Sequence, residues 1–75
     1  PDTMANTKSI ETLRAEVAAA EAASKRAYAN LAALGPNMRA TDHGNNYANR
    51  VLDECIRCDG VLKFARWYLY EAEAA

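Results

Sequence analysis

Two ladders of apolar and small residues decide most of what this chain can become. In the first, Ile10, Leu13, Val17, Ala20, Ser24, Ala27, Leu31 and Leu34 follow one another in alternating steps of three and four. The second, Ala48, Val51, Cys55, Cys58, Leu62, Ala65, Leu69 and Ala72, repeats that rhythm. A mean step of 3.5 keeps one stripe of a helix turned toward a neighbouring helix, so each ladder predicts a long helix with a coiled-coil seam. No segment shows the β-branched alternation of a strand, and the abundance of alanine favours helix.

Local signals bound the two helices. Asn6 or Thr7 can cap the first. Gly35 can take the left-handed position beyond its end, and Pro36 forbids continuation. Helix 1 is therefore expected over about 7–34, a rod of roughly 42 Å at 1.5 Å per residue. Helix 2 is expected over about 46–74, capped by Asn45 or Asn46. The connection, 35–45, contains the polar, turn-forming run Thr41-Asp42-His43-Gly44-Asn45-Asn46. Two helices of similar length and a loop make an all-α antiparallel hairpin. Pro1-Asp2-Thr3 precede Met4 and read as an expression-tag remnant, leaving 4–75 as a single domain.

The middle of the first seam is small (Ala20, Ser24, Ala27), which predicts close backbone approach. Ser24 is its only polar member, and its hydroxyl is expected to bond back to the preceding turn. Gly60 lies opposite the second seam; it costs about 1 kcal/mol relative to alanine in a helix, which predicts a neighbour packed close to it.

A chain of 75 residues buries too little surface to be comfortable alone. Away from its seam, helix 1 shows mostly Ala, Glu, Lys and Arg. Helix 2 adds Tyr47, Leu52, Ile56, Val61, Phe64, Trp67, Tyr68 and Tyr70. One partner helix cannot cover all of these, and a helix apolar nearly all round is buried on several sides. Self-association is expected, most simply a two-fold homodimer forming a four-helix bundle.

Several function classes lose support. A formal net charge of −1 lacks the basic excess of a general nucleic-acid binder. No apolar run approaches the roughly 20 residues of a membrane span, and no signal region is present. A soluble, cytoplasmic protein with reduced thiols is expected. Cys55-x-x-Cys58 sits mid-helix on the seam, whereas redox pairs of this spacing use a helix N-terminus. A structural zinc site needs four ligands; His43 is the only histidine and has no zinc-finger spacing to the cysteines. Two copies could assemble four cysteines across a dimer axis, but free cysteine commonly serves as a small buried hydrophobe. No metal and no cofactor is expected. Neither a Ser/His/Asp set, nor a Gly-rich phosphate loop, nor a carboxylate pair is evident, so the chain reads as a non-enzyme.

Binding candidates remain. Lys63, Arg66, Trp67 and Tyr70 are spaced i, i+3, i+4, i+7 and share one face off the seam. Cations beside aromatic rings suit a nucleotide, whose base stacks while its phosphate meets the charge. The same residue types are enriched in protein interfaces. Arg50–Glu54, Asp53–Arg57 and Asp59–Lys63 have the spacing of solvated i, i+4 pairs. Arg50 and Arg57, seven residues apart, are the cations of this group that could instead share a binding stripe.

The run Gly60-Val61-Leu62-Lys63-Phe64-Ala65-Arg66 resembles the last-helix pattern of a phage family. These are the helical-hairpin sponge proteins of the anti-CBASS and anti-Thoeris kind, which sequester cyclic-nucleotide immune signals. The shared elements are Gly60, the apolar Val61, Leu62 and Phe64, and the basic Arg66; the family's N-terminal segment containing His and Tyr has no counterpart. The resemblance implies a compact oligomeric hairpin with Arg66 as a phosphate contact. Two functional expectations follow. The first is a small oligomeric protein, phage- or mobile-element-encoded, that binds and blocks a host macromolecule. The second is a sponge for a cyclic nucleotide that inhibits antiphage signalling.

Overall fold

A computed structural model describes residues 8–35 and 42–75, with residues 42–45 described by their backbone. Helix α1 spans Ile10–Ala32 and helix α2 spans Asp42–Ala74. The two pack against each other along their length, and the described residues contain no strand. The molecule measures 51 × 22 × 14 Å. Its smallest dimension is little more than the 10–12 Å diameter of one helix. The fold is a single layer of two helices with a broad face on either side.

The helix ends differ from the local signals. Expected caps Asn6 and Thr7 lie outside the described residues, and the cap that forms is Ser9. Its backbone is extended (φ −70°, ψ 157°), and its side chain accepts the Thr12 amide at 3.0 Å. Glu11 in the first turn suits the positive end of the helix dipole. At the other end, the Ala33 amide still bonds to the Ala29 carbonyl at 3.0 Å, and the Leu34 amide tightens onto the Leu31 carbonyl at 3.2 Å. This tight turn satisfies two of the final carbonyls, Ala29 and Leu31, without a left-handed residue. No described residue has positive φ, so Gly35 does not take the conformation expected of it.

Helix α2 begins earlier than Asn46. The backbone from Asp42 onward is already helical, so Asn45 and Asn46 lie inside the helix and cap nothing. Gly and Asn are poor helix formers, each costing up to about 1 kcal/mol relative to alanine. Extending an existing helix fixes only one residue per hydrogen bond gained, so a few poor formers do not stop it. The expected loop of 35–45 is shortened accordingly. The tag expected at 1–3 lies outside the described residues.

The seam assignment holds except at its ends, where Ile10 is exposed and Leu34 lies beyond α1. Leu13, Ala20, Ser24 and Ala27 of α1 are buried against Ala48, Cys55 and Cys58 of α2. Six of these seven side chains are small, so the helices approach closely. The Cys55 thiol donates to the Ala27 carbonyl oxygen at 3.3 Å, from one helix to the backbone of the other. Ala23 and Leu31 pack at the margin of this cluster. Ser24 behaves otherwise than expected: its hydroxyl donates across to Asp59 Oδ1 at 3.3 Å rather than back into its own turn. With the helices this close, the opposite carboxylate lies within reach and is the stronger acceptor.

A polar ladder flanks the seam. The Tyr28 hydroxyl donates to Asp59 Oδ2, Arg66 Nη2 donates to Glu21 Oε2 at 3.1 Å, and Arg14 Nη2 donates to Glu73 Oε2 at 3.0 Å. The two residue numbers in each rung add to 87, so the rungs recur every seven residues on both helices. These contacts are exposed, and each contributes little alone. Together they discriminate register. A slip of one heptad would set Glu21 against Asp59 and Arg14 against Arg66; the opposite slip would set Glu21 against Glu73. Either slip brings like charges together, which destabilises.

Candidate functional site

Helix α2 leaves its large residues outside the seam in water: Ile56 is 63% exposed, Phe64 59%, Trp67 53% and Tyr70 65%. Tyr47, Leu52, Val61 and Tyr68 are also exposed. One partner helix fails to cover them, as the sequence predicts. Helix α1 contributes only Ile10 and Tyr28 to the exposed large apolar residues.

Four of the candidate residues come together. Lys63, Arg66, Trp67 and Tyr70 line one open depression of about 720 Å³, with Asp59, Leu62 and Phe64. The Trp67 and Tyr70 rings stack with centroids 6.1 Å apart and planes 30° apart. Their i, i+3 spacing on α2 brings the rings side by side and exposes one broad aromatic surface. No carboxylate among the described residues forms an ion pair with Lys63. Arg66 stands at the edge toward α1, where Glu21 holds its guanidinium.

Arg50 and Arg57 are not part of this face. Arg57 grips Glu54 with two hydrogen bonds, Nε to Oε1 at 2.9 Å and Nη2 to Oε2 at 2.6 Å. This bidentate pair pulls the Glu54 carboxyl below its usual range, and Glu54 in turn raises the affinity of Arg57 for its proton. Arg50 lies with its guanidinium carbon 6.0 Å from the Tyr47 ring centroid, and it borders a small cleft with Ala27, Asn30 and Glu54. The i, i+4 pairs read from spacing are therefore replaced. Glu54 takes Arg57 at i+3, which leaves Arg50 to its tyrosine. Asp59 turns away from Lys63 toward Tyr28 and Ser24. Spacing alone missed these two partners because both lie on the other helix. That hydrogen bond to Asp59, aided by partial burial, raises the Tyr28 phenol above its ordinary pKa.

Both cysteines are free and buried. Burial, then the nearby Asp59 carboxylate, pushes the Cys55 thiol up, the opposite of what a nucleophile or metal ligand needs. Among the described residues no group of three or more His, Cys, Asp or Glu is arranged to hold a metal. The His43 side chain lies outside them. Gly60 has open space about it: a Cβ added there would meet nothing within 4 Å, so the close neighbour expected from the sequence is not found among the described residues. No helix among the described residues is long and apolar enough to cross a membrane.

Protein-family models, curated proteins and solved structures were compared with the chain, and none matches it.

Proposed function

We propose that this protein is a non-enzymatic, self-associating helical hairpin that binds and blocks a macromolecular partner of its host through the Lys63–Tyr70 face of α2. The observation that carries the reading is the stacked Trp67–Tyr70 pair beside Lys63 in a wide, open depression. Trp and Tyr are among the residue types that dominate binding energy at protein interfaces. The depression is formed by one helix surface and does not enclose a ligand, whereas small-molecule sites bury most of the ligand's area. The fitting partner presents an apolar anchor for the rings and a carboxylate for Lys63.

The alternative, a cyclic-nucleotide sponge, has the stacked rings and Lys63 in its favour. Two features weigh against it. Asp59 places a carboxylate on the rim where phosphates would sit, and Arg66, the residue implied by the resemblance over 60–66, is held by Glu21.

Trp67→Ala tests the reading. Helicity by circular dichroism should be nearly unchanged, because Trp67 is half exposed. Affinity for the partner recovered from host lysate should fall by more than about 1 kcal/mol, with Arg66→Ala following it. Wild-type affinity in both variants would sink the choice of face. A thermal shift with micromolar cyclic nucleotide, abolished by the same variants, would replace this reading with the sponge.

A further inference from the structure

Two thiols make up most of the buried cluster that joins the helices: Cys55 and Cys58 of α2 pack with Ala27 of α1. Their sulfurs have different surroundings. Cys55 faces α1 and donates to the Ala27 carbonyl oxygen at 3.3 Å. The Cys58 sulfur meets a charged pair instead. It accepts from Arg57 Nη2 and donates to Glu54 Oε2, each at 3.7 Å. Arg57 and Glu54 are themselves exposed, so this pair is what separates the Cys58 sulfur from water. We infer that the hairpin carries a thiol switch: a hydroperoxide oxidises Cys58, and the oxidised sulfur opens the seam that the two reduced thiols hold closed.

A cysteine reacts as its thiolate, and reactive cysteines lie beside a cation. Arg57 is the donor for a sulfur anion at Cys58, and Glu54 is the acceptor that passes the thiol proton toward solvent. An exposed ion pair is weak and its side chains rearrange rapidly, so the cover lifts often. In the first step the Cys58 sulfur attacks the terminal oxygen of the hydroperoxide. An S–O bond forms and the O–O bond breaks. Sulfur is oxidised by two electrons, and the peroxide is reduced to an alcohol or water that carries away the thiol proton. The sulfenic acid adds an oxygen and a hydroxyl to a seam already filled by small, buried side chains. Overpacking and polar burial both destabilise such a core. The second step requires the opening. Cβ atoms three residues apart on a helix stand about 5–6 Å apart, more than the ~3.8 Å of a disulfide. Helix α2 must unwind between Cys55 and Cys58, and Cys55 must leave Ala27. Released from burial, the Cys55 sulfur then displaces the sulfenic hydroxyl; S–S forms, S–O breaks, and the hydroxyl departs with the Cys55 proton as water. The disulfide holds that turn unwound until an external dithiol reduces it.

Treating the full chain with hydrogen peroxide tests the switch, read by circular dichroism and by mass mapping of tryptic peptides. Cleavage after Arg57 places the two cysteines on separate peptides. Cys58 should gain one oxygen, trapped by dimedone, and the two peptides should then become joined by a disulfide. Helicity should fall in step with the disulfide and return with dithiothreitol. Arg57→Gln, at an exposed position, should keep the hairpin and slow the oxidation of Cys58 at least threefold. Cys55→Ser should accumulate the sulfenic acid, and Cys58→Ser should hold its helicity through the same treatment. Oxidation of Cys58 no faster than that of Cys55, or at the wild-type rate in Arg57→Gln, would overturn the assignment of the reactive thiol. A disulfide formed with no loss of helicity would overturn the switch.

Discussion

The two helices carry matching seams and contrasting exteriors. Along the seam, each contributes small side chains at coiled-coil spacing, and both are buried to a similar depth. Outside it, α1 is mostly alanine and charge, whereas α2 exposes aromatic and branched residues on both of its flanks. The seam explains why the chain folds back on itself. It does not explain Ile56, Phe64, Trp67 or Tyr70, which add nothing to the hairpin and cost solubility. Under the proposal above, these residues serve contacts with something outside the chain, and α2 is the helix that presents them.

This contrast can be broken most forcefully at Leu13, the one large apolar side chain that is buried among the described residues, 3% exposed. Leu13→Ala should cost about 2–4 kcal/mol in urea unfolding, within the range for buried leucine. Ile56→Ala, on the outer side of α2, should leave the unfolding of the isolated hairpin nearly unchanged, within about 0.5 kcal/mol. Equal losses at the two positions would mean that seam and exterior are not energetically distinct.

Gly60 sharpens the comparison with a gain. Because an added Cβ meets nothing within 4 Å, Gly60→Ala should stabilise the chain by about 1 kcal/mol through helix propensity alone. Thermal unfolding would show this as a rise of several degrees. Should the variant instead lose stability or assembly, another molecule approaches the backbone at that point.

The smallest expected effect lies in the ladder. Glu21→Arg sets like charge against Arg66 and should cost less than about 1 kcal/mol, since the rung is exposed. Adding Arg66→Glu should recover most of that loss, with the coupling read from a double-mutant cycle. A cycle with no coupling would show that the rungs do not help to choose the register.

Much of the hairpin is legible because it rests on spacing. Most seam positions could be named from periodicity, although Ile10 is exposed and Leu34 lies beyond the end of α1, and the burial of Cys55 and Cys58 follows from their places on it. Helix ends were less legible. Their location depends on small differences among capping residues, so Ser9 displaced Asn6 and Thr7, and a run rich in Asn and Gly was absorbed into α2. The grouping of Lys63, Arg66, Trp67 and Tyr70 was visible because four residues of one helix determine their own neighbourhood. The Asp59 contacts and the Glu21–Arg66 rung were hidden, since each joins residues far apart in sequence. So was a second open depression, lined by Ala19, Ala20 and Ala23 of α1 and by Val61, Phe64 and Tyr68 of α2.

The heptad recurrence of the rungs has a consequence for how such a chain can change in length. Excising seven residues from α1 and the seven level with them from α2 would shorten the rod by about 10 Å. Every surviving rung would still meet its proper mate. Excising seven from one helix alone would bring the remaining charges into conflict. Tolerated insertions and deletions should therefore arrive as matched heptads, one in each arm, and the aromatic exterior of α2 can be lengthened or trimmed in those increments without redesigning the fold that presents it.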